Sequence, residues 1–298
     1  CGITEAAART MRHPLVLLVP SLPTLVLDEH RGHRTPMLDA LAGAAEALGS
    51  DPPDVVLALT ARWETEGPFQ VDVGARHRTL TDYTGLGVEV RYDCSGRPAL
   101  ARALVAAGHA AGVRVGPAQR GVDSGVTVPM HFLFGRSGVA VVPLSVADAD
   151  AAACRAWGAA IAKFAAWRPE RILFVVGGVL SHDEHAWNFK RIVPETATLD
   201  EQVMQALGDG DWEGLHHLPQ RLLARAHPQA GLRHLEVLRG YLGADLRGQV
   251  LAYEAQPGIG AALVSFSMPG VAADAELRNA APAAEDADEQ AAEDPAAE

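Results

Sequence analysis

The chain has 298 residues, 48% of them hydrophobic and 21% charged, with a formal net charge of −12. That length supports one large α/β domain or two small ones, and the composition is that of an ordinary water-soluble protein. The charge is uneven: residues 271–298 hold nine acids and one base, Arg278, which gives −8 and leaves −4 for the body, with no basic stripe of the kind nucleic-acid binding needs.

Residues 1–12 read as a leader. Cys1-Gly2-Ile3 resembles the start of the N-terminal glutamine amidotransferases, in which an amino-terminal thiol is the nucleophile. Thr4 to Arg9, however, has the pattern of a short capped helix rather than that fold's first strand. Cys1, Cys94 and Cys154 form neither a disulfide framework nor a zinc knuckle. Residues 15–19 are the first strand, and no apolar run approaches the ~18 residues that span a membrane. A cytoplasmic location is expected.

Pro20-Ser21-Leu22-Pro23 ends the first strand, and residues 25–33 read as a loop that carries Asp28, Glu29, His30 and His33. Thr35 caps a helix with Pro36 at its first position and Met37, Leu38, Leu41, Ala44, Ala45 and Leu48 on the buried face. A second strand over 55–59 runs into Thr60-Ala61-Arg62-Trp63-Glu64, completing a βαβ unit and a parallel pair. Residues 69–92 read as irregular strands with a lid-like loop, and 98–112 as an alanine-rich helix. Residues 127–134 fit a short helix or an extended segment, 139–146 a buried strand, and 149–167 a helix.

The central stretch follows, from Arg171 to His182. Its unbroken apolar run reads as a strand buried on both faces, and Gly177-Gly178 lets the backbone turn or approach something closely. Ser181 and His182 then stand where ligands bind in open α/β sheets, and His182 is a candidate for proton transfer. His182 and His185 also have metal-binding spacing, although a polar surface turn explains it as well. Helical spacing recurs at 199–207, 215–226 and 231–242, and two strands at 249–255 and 261–267 form a hairpin through Gln256-Pro257-Gly258. Residues 269–298 have almost nothing to bury and read as a disordered acidic tail, leaving 13–268 as a single domain. There is no Gly-x-Ser-x-Gly elbow, no P-loop and no His-Glu-x-x-His, and Gly85-Leu86-Gly87 lacks a dinucleotide site's third glycine.

Five segments in order resemble the class III extradiol ring-cleavage dioxygenases, the LigB superfamily. Residues 122–135 are similar to its Asp-His-Gly segment, and 173–182 to its strand ending Gly-Gly-Leu-Ser-His. Pro20-Ser21-Leu22-Pro23 resembles its Ser-His-x-Pro, 55–63 its second strand ending in histidine, and 231–243 its late helix with an acidic ligand. The resemblance implies an α/β fold, a mostly parallel twisted sheet with helices on both faces. It also implies Fe(II) held by two histidines and a carboxylate, with a nearby histidine moving protons.

This chain departs from that pattern at the ligands. Ser21 and Arg62 stand for the two histidines, Gly231 for the acid and Ser124 for the histidine of Asp-His-Gly; only His182 matches. Arg62 is permanently cationic and repels a metal while attracting an anion. The resemblance therefore implies a relative without the usual iron site, acting as a non-catalytic or regulatory subunit. It would keep Ser21, Arg62, Ser124 and His182 around a cleft for an aromatic or anionic small molecule. A homodimer, or a pair with an active paralogue, is expected. The alternative is an active Fe(II) dioxygenase with ligands drawn from His30, His33, His182 and His234 and from Glu29, Asp183 or Glu236. A third reading is an acid–base or hydrolytic enzyme using Arg62 and His182.

Overall fold

A computed structural model describes residues 15–83, 89–135 and 137–268. The leader at 1–12, the tail at 269–298 and Gly85-Leu86-Gly87 lie outside the described residues.

In chain order the elements begin with β1 (Leu15–Pro20), α1 (Pro23–His30), α2 (Pro36–Gly49), β2 (Val55–Thr65) and β3 (Phe69–Asp72). Then come β4 (Arg76–His77), β5 (Cys94–Ser95), α3 (Pro98–Ala110), β6 (Val115–Ala118) and α4 (Ser124–Phe134). Next are β7 (Ala140–Ala147), α5 (Ala151–Ala166), β8 (Ile172–Gly178), α6 (Glu184–Asn188) and α7 (Pro194–Asp209). The last are α8 (Gln220–Ala226), α9 (Arg233–Leu242), β9 (Gln249–Gln256) and β10 (Ile259–Ser267).

Eight strands form one sheet in the order β6-β3-β7-β2-β8-β1-β10-β9. β7, β2, β8 and β1 are mutually parallel, while β10 and β9 add an antiparallel hairpin. The unbroken apolar runs are explained by burial on both faces. Val55, Leu57 and Leu59 of β2 and Phe174 and Val176 of β8 pack with Leu104, Trp157, Val203 and Leu235 of α3, α5, α7 and α9. Val56, Ala58, Leu173 and Val175 point the other way, onto Leu25, Leu41 and Met130 of α1, α2 and α4. The fold is thus the single-domain α/β sandwich of helices on a mostly parallel sheet.

One local expectation changes here and one open alternative is resolved. Residues 25–33 were expected to be a loop, but α1 occupies Pro23–His30. Pro23 at the first position presets the helical φ, and burial of Leu25 and Val26 holds a helix too short to show a period. The ambiguous 127–134 segment lies in α4 despite Pro129 in its interior. Proline has no N–H to give the Gly125 carbonyl. That carbonyl lies against Gly177 of β8, where a Cβ would collide with it. Gly177 is therefore what lets α4 sit directly on the sheet. No described helix is long and apolar enough to cross a membrane.

Candidate functional site

The carboxyl ends of β1, β2 and β8 meet at a cleft of about 200 Å³. Two larger hollows have volumes of about 680 and 510 Å³. The first lies by Asp54 and Ala140, at the opposite ends of the strands, and the second by His30 and Arg91. The smaller cleft is the one at the strand ends where α/β sheets bind ligands, and it brings Arg62 and His182 together.

Arg62 enters this cleft because β2 bulges. Thr60 pairs with Ser145 of β7 and Glu64 with the next residue, Val146, so Ala61, Arg62 and Trp63 have no partners on β7. Such a bulge bends a strand and re-aims its side chains. The turn is held by Arg62 N–H donating to Thr60 Oγ1 (3.1 Å) and Thr60 Oγ1 donating to Asp123 Oδ1 (2.7 Å). Asp123 caps α4 and pairs with Arg120. The Arg62 guanidinium lies 3.8 Å from both Asp82 and Glu184, beyond hydrogen-bond reach. Its Nε is buried and, among the described residues, has no hydrogen-bond partner.

His182 faces Arg62 from the end of β8. Its backbone is clamped, with N–H donating to the His227 carbonyl at 2.8 Å and Asp183 N–H donating to Gly258 O at 2.8 Å. Gly258 takes φ +76° in the β9–β10 turn, where a Cβ would also press on Ala186. The preceding Ser181 is fixed by Asp200, which accepts from Ser181 N (2.9 Å), Ser181 Oγ (3.0 Å) and Tyr253 OH (2.8 Å). Burial raises the Asp200 pKa, and those hydrogen bonds only partly offset it. Burial first, and the Arg62 charge second, lower the His182 pKa to about 4, against a weak opposing pull from Asp183. The imidazole is neutral at physiological pH.

Of the sequence-predicted residues, Arg62 and His182 line the cleft together. Ser124 reaches it indirectly: its N–H (3.0 Å) and Oγ (2.7 Å) both donate to Asp82, which lines the cleft. Ser21 is fully buried beside the lining residues Leu22 and Pro23, and its Oγ is unpartnered among the described residues. His30 and His33 lie outside the cleft, His33 paired with Asp28 at 2.9 Å and His30 in the second hollow beside Arg91. His234 is buried within α9, close to Gly178, and does not line the cleft. Burial and neighbouring Arg233 lower its pKa to about 4, and both ring nitrogens lack partners among the described residues.

The donor set does not fit a two-histidine, one-carboxylate Fe(II) centre. The converging side chains are a guanidinium, one imidazole and the carboxylates of Asp82 and Glu184, so a second histidine is missing and a fixed cation stands among them. The other carboxylate candidates are engaged: Glu29 with His131 at 2.6 Å, Glu236 with Arg155 at 2.7 Å, and Asp183 in capping α6. Among the described residues no group of three or more His, Cys, Asp or Glu is placed to hold a metal. Asp82, Asp200, Trp187 and Gln256 were missed by sequence reasoning. Asp82 and Gln256 sit in segments read only as a loop and a turn, Trp187 in a polar stretch and Asp200 in a helical pattern, so only tertiary contact reveals them.

Residues 16–264 match the family model described as the catalytic LigB subunit of aromatic ring-opening dioxygenase. The chain belongs to the LigB family. Within the LigB family it is similar to a protein of Beta vulgaris named 4,5-DOPA dioxygenase extradiol, 24% identical over 241 residues, which is 77% of this chain and 87% of that protein. The LigB fold also appears in the crystal structure of an uncharacterized protein from Escherichia coli K12, with a TM-score of 0.64 and 17% identity, covering 85% of this chain and 99% of that one.

Proposed function

We propose that this LigB-family protein is a non-catalytic or regulatory member whose cleft binds a small anionic, single-ring molecule, with Arg62 as a built-in cation where the resemblance expects a metal. The observation that carries the reading is the Arg62 side chain, turned into the cleft by the β2 bulge with its Nε unpartnered among the described residues. A carboxylate or phenolate in the cleft would give the guanidinium the close acceptor that Asp82 and Glu184, each 3.8 Å away, do not supply, and would face a fixed positive charge. Neutral His182 can donate or accept one hydrogen bond without adding charge. The cavity, at about 200 Å³, is smaller than the ~300 Å³ at which drug-sized sites begin, and Tyr83 and Trp187 in its wall suit a flat ring.

Benzoate titrated into the chain without added metal tests this. Binding is expected, with Arg62→Ala weakening it roughly 10–100-fold, the range for losing a charge-assisted hydrogen bond. Stoichiometric iron retained during purification, with oxygen uptake on catechols, would overturn the proposal. The competing reading, an active Fe(II) dioxygenase with rearranged ligands, is favoured by the name of the Beta vulgaris relative. With Glu29 or Glu236 as the carboxylate it needs an ion pair to break, and with His234 as a ligand it needs that ring to leave the core. A non-catalytic role also places the protein in a homodimer or beside an active paralogue, which light scattering of the purified chain and of a co-expressed pair distinguishes.

A further inference from the structure

We propose that a second binding site, separate from the Arg62 cleft, lies where the two larger hollows meet and takes an organic phosphate monoester, its phosphoryl group held by Arg76 and Arg97. Ser95 and Gly138 line both hollows, so the two share a wall. Arg97 lines the hollow of about 680 Å³ and Arg76 the one of about 510 Å³. Arg76, Ser95 and Arg97 are all exposed.

The backbone turns these three side chains to one side. β4 and β5 form an antiparallel pair in which Arg76 is opposite Ser95 and His77 opposite Cys94. Directly opposed residues share a face, with Cβ atoms ~4.5–5.5 Å apart, and successive side chains alternate between faces. His77 and Cys94 are the buried members, so Arg76 and Ser95 turn outward. The alternation continues beyond β5. A Cβ at Gly96 would strike the Gly74 carbonyl and His77 Nε2, which is the inward direction. Arg97 then turns outward again on the side of Ser95, roughly 7 Å further along at ~3.3 Å per residue.

The acids lining the hollows are bonded to other groups. Asp54 accepts from Arg171 N–H at 2.8 Å, Glu89 from Thr81 and Arg91, and Asp93 from both the N–H and the Oγ1 of Thr79. Arg76 and Arg97 have no ion pair among the described residues. Guanidinium groups match phosphate oxygens bidentately, and a phosphoryl group has enough oxygens and charge for two of them. Beyond Arg97 the walls are apolar, with Leu48, Pro53, Leu133 and Phe134. A hollow of about 680 Å³ falls within the ~300–1,000 Å³ of small-molecule sites, which leaves room for a ring or short chain on the ester oxygen.

Calorimetric titration of the full chain with phenyl phosphate tests this, with inorganic phosphate and phenol as its two halves. Phenyl phosphate is expected to bind at least ~10-fold more tightly than either half. Arg76→Ala and Arg97→Ala should each weaken it roughly 10-fold or more. Both side chains are exposed, so the variants leave the core intact. Phenyl phosphate is also a single-ring anion, and Arg62→Ala separates the two sites: it should remove at most the cleft's share and leave binding at Arg76 and Arg97 in place. Binding that is lost in Arg62→Ala and indifferent to Arg76 and Arg97 would overturn the second site while leaving the cleft reading standing. Inorganic phosphate binding as tightly as the ester would overturn the ligand class, and no binding of phenyl phosphate would overturn the proposal outright.

Discussion

Acid sensitivity is the sharpest consequence of the two buried histidines. His182 has its pKa lowered from 6.5 to about 4 by burial and by Arg62, and its side chain is only 15% exposed. The folded state thus holds this ring neutral, while the unfolded chain protonates it below pH 6.5. Between those values the unfolded state binds more protons, so stability falls as pH is lowered through that window and is fully present above it. At pH 4.5, two units below the unfolded value, the loss from His182 is roughly 3 kcal/mol at 1.36 kcal/mol per unit. His234, shifted by burial to the same value, contributes a similar amount. The sum is comparable with the ~5–15 kcal/mol that holds a domain folded. Urea denaturation at pH 6.5 and 4.5, followed by tryptophan fluorescence, measures the drop. His182→Asn should lose about 2 kcal/mol less than wild type between the two conditions, because the His182 share is then gone. Parallel pH dependence in wild type and variant would refute the assignment of this linkage to His182.

Two further substitutions probe what holds the site in place. Asp200→Ala strands Ser181 N, Ser181 Oγ and Tyr253 OH, and should cost roughly 3 kcal/mol in chemical denaturation, with Asp200→Asn milder; an alanine variant as stable as wild type would contradict the clamp. Gly177→Ala forces a methyl into the Gly125 carbonyl and should cost about 3 kcal/mol or more, roughly a 10 °C fall in Tm, unless α4 does not rest on β8 as described.

What the sequence revealed of this fold was governed by range. Strands β7 and β8 were readable because burial on both faces leaves an unbroken apolar run, and the last hairpin because Pro257-Gly258 is a local turn signal. α1 was not, since its eight residues have no room for a period and owe their helicity to the packing of Leu25 and Val26. β2 was read as ending at Leu59 because Thr60 and Arg62 interrupt its apolar run, while the pairing that carries it on to Thr65 comes from β7. The same rule covers the site. Arg62 and His182 could be picked out because each follows a legible strand. Asp82 and Gln256 could not, since what brings them to the cleft is a neighbour far along the chain.

The electrostatics of the cleft turn on how weakly Arg62 is matched. Asp82 is already the acceptor for both Ser124 groups, and Glu184 is 68% exposed, so neither is a close, dry counter-ion for the guanidinium. A tight bidentate partner would have spent both the charge and the geometry of the fork. A like charge on His182 is prevented first by burial and second by the same guanidinium. The outcome is one permanent cation beside one neutral ring, a polarity that does not change across the physiological range. A metal centre built from histidines behaves differently, because protons compete for its ligands as pH falls. In this cleft the guanidinium cannot be titrated away, so affinity for an acid should follow the ionisation of the ligand rather than that of the protein.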